Sequence, residues 1–371
     1  MASYMLVAAV ITAIFFSIIG SAVPTEQQPI PGRFTLETRV SNTTIIRKRY
    51  VSRLRADPHS TYHLVHITVA GQIYKVLPDT GSSDFWIPSD KLPPGQRGSH
   101  PVYRTRNQSK IHGYTFSVEY ADGNMAEGSM YAETVVIGGL TIRSMPFGAA
   151  EFMSLTLSWG FEDGILGLAF RRISSIKPPG RIPTFWECIR GKLDRPLFAV
   201  ALGLYRTGTI DFGFIDHSKY VGQITSVPVY AREGHWMVIF DGIEVNHARK
   251  MSRFTVVIDT GSEMIHLRRD IVEAYYSQVP NAREHPNDKY WYFPCEDELP
   301  DLTLFVETHR VVIPGKYLNF GRIKGSLMLC SGIVQEAEGG EYAVLGLPFL
   351  GVQYVIFEPE IPRMGFAQLA V

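Results

Sequence analysis

Asp79-Thr80-Gly81-Ser82 recurs 180 positions later as Asp259-Thr260-Gly261-Ser262. A carboxylate followed by a hydroxyl and a glycine suits a tight loop, because glycine admits backbone conformations and close approaches that a Cβ would forbid. The neighbouring Ser or Thr can donate to one carboxylate oxygen while backbone N–H groups hold the other. Two such loops meeting across a pseudo-two-fold axis would bring their carboxylates to hydrogen-bonding distance. Both cannot ionise cheaply there, so the pair shares one proton. The ionised partner can then take a proton from water while the protonated one donates to a carbonyl oxygen. This chemistry hydrolyses an amide without a covalent nucleophile, a metal or a cofactor.

The elements around the two tetrapeptides repeat as well. Each copy follows a hydrophobic run, Ile73 to Leu77 and Phe254 to Ile258. Each is followed by an apolar-apolar-Gly unit, Ile165-Leu166-Gly167 and Val344-Leu345-Gly346, whose Gly lies 88 residues after the first Asp and 87 after the second. One Asp-Thr-Gly reads most simply as a capped turn; two copies with a second matched element imply two related lobes. Runs such as Tyr62 to Val69, Tyr114 to Tyr120 and Tyr131 to Ile137 predict a mainly β chain. Helical spacing appears at Ile182 to Leu193 and at Asp270 to Gln278, with Asp270 as the expected N-cap. Tyr120-Ala121-Asp122-Gly123-Asn124 reads as a turn between strands, the shape of a mobile lid, and has no counterpart in the second half.

The chain has 371 residues with 36 basic and 36 acidic side chains, so no net charge draws it to nucleic acid or an anionic membrane. The balance hides an uneven distribution. Residues 23–57 carry seven basic and three acidic side chains, and from residue 58 onward there are 29 basic and 33 acidic ones. Leu6 to Ile19 is apolar but short of the roughly twenty residues of a comfortable membrane span. It ends in Gly20-Ser21-Ala22, which suits signal peptidase. The expected organisation is a signal segment at 1–22, a basic leader at 23–57, a first lobe at 58–226 and a second at 227–371; an uncleaved anchor is the alternative at the start. Sequons at Asn42 and Asn107 agree with a secretory route. Of three cysteines, Cys295 and Cys330 stand 35 positions apart, and a bridge there would stabilise the fold by about 3–4 kcal/mol. Cys188, on a helical pattern, reads as a buried inert thiol.

The stretch from Asp79 to Ser89, Asp-Thr-Gly-Ser-Ser-Asp-Phe-Trp-Ile-Pro-Ser, resembles the first active-site segment of the pepsin-like aspartic proteases. Similarity runs from about Tyr62 to Ala370. Gly113-Tyr114-Thr115-Phe116, Pro196 to Leu202, Asp211 to Asp216 and Tyr275 to Val279 resemble the fungal penicillopepsin and aspergillopepsin group. The resemblance implies an all-β, bilobal, monomeric endopeptidase with a cleft for extended peptides carrying bulky hydrophobic side chains. It implies that Asp79 and Asp259 are the catalytic pair and that Thr80 and Thr260 cross-bond the loops. Ser82 would bond the outer oxygen of Asp79, with Ser262 at the matching place. Tyr120, Ala121, Asp122 and Gly123 would form the flap, Trp86 would bond Tyr120, and Ile165 would line the cleft. Cys295 and Cys330 would form the disulfide. The basic leader would cover the cleft until acid weakens its ion pairs, or be cut at Lys48-Arg49. Secretion is implied, with a vacuolar destination as the alternative.

Four positions depart from the family pattern: Pro78, Ala121, Glu263 and Leu347. Glu263 would add a third carboxylate near the pair, raising the working pH and favouring basic substrate residues. Asp122 matches an acidic flap residue linked to acceptance of Lys beside the scissile bond. The competing readings are a catalytically silent relative that binds peptides in the same cleft, and a structural glycoprotein with a vestigial pair. His63 and His66 read as ordinary strand histidines, and Trp291-Tyr292-Phe293 as strand core. The sequence carries no His-Glu-x-x-His, Gly-x-Ser-x-Gly, P-loop or Gly-x-Gly-x-x-Gly motif.

Overall fold

A computed structural model describes residues 32–40 and 62–370, apart from 205, 288, 324 and 338–341. The signal segment, Asn42 and Arg47-Lys48-Arg49 lie outside the described residues.

The chain is mainly β, and the described strands fall into sheets of thirteen, seven and four. The repeat in sequence is a repeat in topology. In the first half His63–Val69 and Gln72–Asp79 form a hairpin, closed by Ala70 and Gly71 at φ of 49° and 85°. In the second, Met237–Val245 and Ala248–Ile258 are closed by Asn246 and His247 at 47° and 66°. Two consecutive left-handed residues give the turn whose twist matches that of paired strands. Each hairpin then feeds an Asp-Thr-Gly loop and a short strand, Phe85–Pro88 or Ile265–Leu267. That short strand lies antiparallel to the strand that carries or leads into the apolar-apolar-Gly glycine, Ile165–Gly167 or Ala343–Leu345, which in turn runs parallel to the strand leading into the aspartate.

The largest sheet joins the halves. Phe198–Ala201 pairs with both Gly208–Phe212 and Gln353–Glu358, and Tyr220–Pro228 pairs with the last strand, Arg363–Leu369. Tyr220–Pro228 thus runs across the junction expected at 226/227. Phe198 stacks on Phe357 at 4.6 Å between centroids, and Trp236 packs edge-on against both. Part of the expected leader belongs to the same sheet. Phe34–Val40 pairs with Gly208–Phe212 along one edge and with His63–Val69 along the other, and Phe34 stacks on Phe212 at 4.6 Å.

The helical expectations hold with shifted ends. Phe185–Ile189 is a short helix capped reciprocally by Thr184 and Glu187, followed by a 3₁₀ turn at Arg190–Lys192. The later helix is Arg269–Tyr276 with Arg268 at the N-cap. Asp270 lies inside its first turn instead of capping it. Its carboxylate is held by Arg268 and by Lys250 of the preceding hairpin, each at 3.1 Å, a pull from outside the local sequence. Trp291–Pro294 is a strand, as expected.

Candidate active site

Asp79 closes the strand Gln72–Asp79, and its carbonyl accepts from Leu168 N at 2.7 Å. Asp259 donates its own N–H to Leu345 O at 3.0 Å. Each aspartate is therefore tied to its apolar-apolar-Gly unit or to the residue directly after it. Across the axis, the Thr80 hydroxyl donates to Ile258 O at 2.8 Å and the Thr260 hydroxyl to Pro78 O at 2.7 Å. Each hydroxyl also accepts the other threonine's backbone N–H, at 2.9 and 3.0 Å.

Pro78 leaves this cross-bond intact, since only its carbonyl is needed. The loss falls elsewhere. The register Val65↔Val76 sets Pro78 opposite His63, and at the matching place in the second half Ile258 N donates to Trp236 O at 3.1 Å. Proline has no N–H to give. Leu347 is buried and opens the helix Leu347–Leu350.

The glycines explain how close the loops come. A Cβ on Gly81 would stand 2.7 Å from the carboxyl atoms of Asp259, and one on Gly261 would stand 2.5 Å from Asp79 Oδ1. Each glycine thus lies against the other loop's carboxylate, and any side chain there would force the loops apart. Asp79 Oδ1 accepts from Gly81 N at 2.8 Å, and its Oδ2 accepts from the Ser82 hydroxyl. Asp259 Oδ1 accepts from Gly261 N at 2.8 Å. Ser262 does not mirror Ser82: its hydroxyl accepts from Met264 N at 3.3 Å and lies 3.4 Å from Met264 O. Burial, the neighbouring charge of Asp79 and a hydrogen bond between the two carboxyl groups push the Asp259 carboxyl well above its ordinary range. Gly261 and Gly81 pull it back in part.

The turn expected to act as a lid lies in a long hairpin, Lys110–Glu119 with Met125–Ile137. Tyr120 N donates to Asn124 O at 2.8 Å, and Gly123 takes φ of 77°. Ala121, Asp122 and Gly123 are exposed at the tip, and Asp122 accepts from Asn124 N at 3.0 Å. The Tyr120 hydroxyl accepts from Trp86 Nε1 at 2.8 Å. Burial, then the charge of Asp79, push its phenol well above its usual pKa. Ile165 is buried with Leu77 and Trp86 in a cluster against which Tyr120 packs. Glu263 is half-buried in the turn after Ser262. The Cys295–Cys330 disulfide is formed; Cys188 is free, and burial pushes its thiol up to about 11. Asn107 is exposed on a 3₁₀ turn.

Comparison with known proteins identifies the family. The family model for eukaryotic aspartyl protease matches residues 61–369. The chain belongs to that family. Aspergillopepsin-1 of Aspergillus flavus is 36% identical over 317 residues, covering 85% of this chain and 78% of its own length. Aspergillopepsin-1 of Aspergillus fumigatus is 35% identical over 317 residues, covering 85% and 80%. Penicillopepsin-1 of Penicillium janthinellum is 34% identical over 310 residues, covering 83% of this chain and 95% of its own. This aspartyl protease is an aspartic-type endopeptidase that acts on peptide or protein substrates.

Two groups of this aspartyl protease escaped the motif reading. Asp84 is buried and accepts from Ser174 Oγ at 2.7 Å and Ser175 N at 2.8 Å, anchoring the segment after the first loop. His235 and Trp236, which open the second hairpin, reach across to the first half, Trp236 Nε1 donating to Leu168 O at 3.0 Å. No local spacing marks them, because their partners are distant in the chain. Among the described residues, no helix is long and apolar enough to cross a membrane.

Proposed function

We propose that Asp79 and Asp259 are the catalytic pair of a secreted endopeptidase, made as a zymogen and working in acid on peptides with bulky hydrophobic side chains around the scissile bond. The observation that carries the reading is the crossing of the glycines, each lying against the other loop's carboxylate. Each aspartate accepts from the glycine N–H of its own loop, but only Asp79 also accepts from a hydroxyl, that of Ser82, whereas Ser262 turns away from Asp259. Hydrogen bonds to the anion favour ionisation, so Asp79 carries the charge and Asp259 keeps the proton.

Asp79 takes a proton from water as the water oxygen adds to the scissile carbonyl carbon. Asp259 gives its proton to the carbonyl oxygen. As the diol collapses, the proton on Asp79 passes to the departing amine nitrogen. Asp259 recovers one from a diol hydroxyl, and the starting state returns. The Tyr120 flap, fixed to Trp86, shields this step, and Ile165 with its apolar neighbours supplies the wall for a hydrophobic side chain. Asp122 at the flap tip favours Lys beside the scissile bond, and Glu263 favours basic residues and a higher working pH. The basic leader at 23–57 holds the enzyme inactive before lobes 58–226 and 227–371 act, and sugars at Asn42 and Asn107 accompany export.

The test is cleavage of a denatured protein by the processed enzyme across the acid-to-neutral range, with and without a statine-type transition-state analogue. Inhibitor-sensitive cleavage peaking in acid is the expected result. A folded, leader-free chain that cleaves nothing would instead be a silent peptide-binding relative.

A further inference from the structure

Gly234-His235-Trp236 begins the second lobe's hairpin yet is bonded to the first lobe. Gly234 O accepts from Phe170 N at 3.2 Å, and Trp236 Nε1 donates to Leu168 O at 3.0 Å. Leu168 is itself the residue whose N–H is bonded to Asp79 O. Between these two anchors, the His235 ring is hydrogen-bonded to the backbone of Gly81, in the Asp79 loop, and lies within the field of the Asp79 carboxylate. Its Nδ1 is buried with no hydrogen-bond partner among the described residues. Among the described residues, the other titratable groups near the ring are Glu233, on its own segment, and Tyr342, whose ring centroid lies 6.1 Å away.

An unpaired buried ring nitrogen costs about 1–3 kcal/mol, which a phenylalanine at this place would not incur. A histidine beside the charged carboxylate can do what an aromatic hydrocarbon cannot: carry a proton. We propose that His235 is a positioning residue of the catalytic pair, an imidazole that becomes a cation in acid and, beside Asp79, keeps one carboxylate ionised at pH values where the second proton would otherwise bind. Burial lowers the proton affinity of this ring, and Gly81, Asp79 and Glu233 restore it in part, so it charges on the acid side of 6.5. In that range the centre holds the imidazolium proton and the single proton of the pair. The attraction between imidazolium and carboxylate opposes addition of a third proton. His235 thereby extends the acid limb of activity without touching the reacting atoms.

This rests on the reading of Asp79 and Asp259 as the working pair. The experiment is the pH dependence of kcat/KM for the processed enzyme, for His235→Phe and for His235→Gln. Both variants lack the cation, so both should show an acid limb moved upward by about one pH unit, with the neutral-side limb in place. At the acid end that is about a tenfold loss. A uniform loss with no displaced limb, or opposite behaviour of the two variants, would overturn the proposal and assign His235 a packing role. Direct titration of the His235 imidazole by NMR in the full enzyme and in Asp79→Asn covers the case where the variants fail to fold. Linkage requires the ring to titrate at lower pH once the Asp79 charge is gone, and an unmoved titration overturns the idea. A wild-type enzyme without inhibitor-sensitive cleavage would sink the catalytic pair and this proposal together. An active wild type whose acid limb ignores residue 235 would sink this proposal alone.

Discussion

The hydroxyls of Thr80 and Thr260 exchange partners across the axis of the molecule: each donates to the carbonyl just ahead of the other loop's aspartate and accepts the other threonine's N–H. Both side chains are fully buried or nearly so. Thr260→Val keeps the shape but leaves Pro78 O and Thr80 N without partners, and each unsatisfied group costs about 1–3 kcal/mol. The expected loss is about 2–4 kcal/mol in denaturant unfolding, whereas Thr260→Ser keeps the hydroxyl and should stay near the wild-type stability. Equal stability of the two variants would show that the cross-bond does not hold the loops.

Asp79→Asn removes the proposed base and should depress kcat by a thousandfold or more on the order of magnitude of other catalytic units. Ser82→Ala is gentler. It deletes one donor to Asp79, so the anion is less favoured and the acid limb of the rate profile moves upward. A pH profile separates the two, since only the first variant should be inactive throughout.

His100 and Asp163 form a buried pair at 2.9 Å, each about 5% exposed or less, and Asp163 also accepts from Lys75 N at 2.7 Å. Burial alone would lower the His100 pKa, but the hydrogen bond and charge of Asp163, the charge of Glu162 and the Ser158 carbonyl outweigh it and hold it above 6.5. A raised pKa in the folded chain contributes stability that is complete below the unfolded value and is lost as pH rises through the folded one. Unfolding free energy should therefore decline above neutrality, and His100→Gln should flatten that decline. A parallel decline in the variant would assign it to other groups.

His63 has the opposite sign. Its Nδ1 lies 2.7 Å from the Thr38 hydroxyl, and burial, opposed by the Gly203 carbonyl, lowers its pKa from 6.5 to about 4. Stability from its neutral form is present above 6.5 and lost as pH falls through about 4. At full protonation the loss is about 3 kcal/mol. His63→Gln should show a shallower fall of stability in strong acid, read by urea unfolding at stepped pH.

Much of the site was legible because its determinants are local and doubled. Asp-Thr-Gly-Ser, the glycine that follows at nearly equal distance and the flap turn all carry their chemistry within a few residues. What stayed hidden depends on partners far along the chain. Ser262 repeats Ser82 in type but turns to Met264, and Asp270 yields the N-cap to Arg268 because Lys250 and Arg268 hold its carboxylate. Phe34-Thr35-Leu36-Glu37 begins the apolar-polar alternation of a strand, but Thr38 breaks it on the buried face. The strand's pairing with Gly208–Phe212 depends on a partner about 170 positions away, which the basic leader expected at 23–57 does not itself reveal.

Thr38 takes the Gly208 N–H at 3.0 Å on one side and meets His63 on the other, so Phe34–Val40 is stitched to both neighbouring strands. A backbone cut anywhere between residues 40 and 62 would therefore leave this strand as a separate peptide held by its ladder and by Phe34 on Phe212. The nicked enzyme would then behave as a complex of two chains with a dissociation constant of its own, and its cohesion in strong acid would depend on dilution as well as on pH.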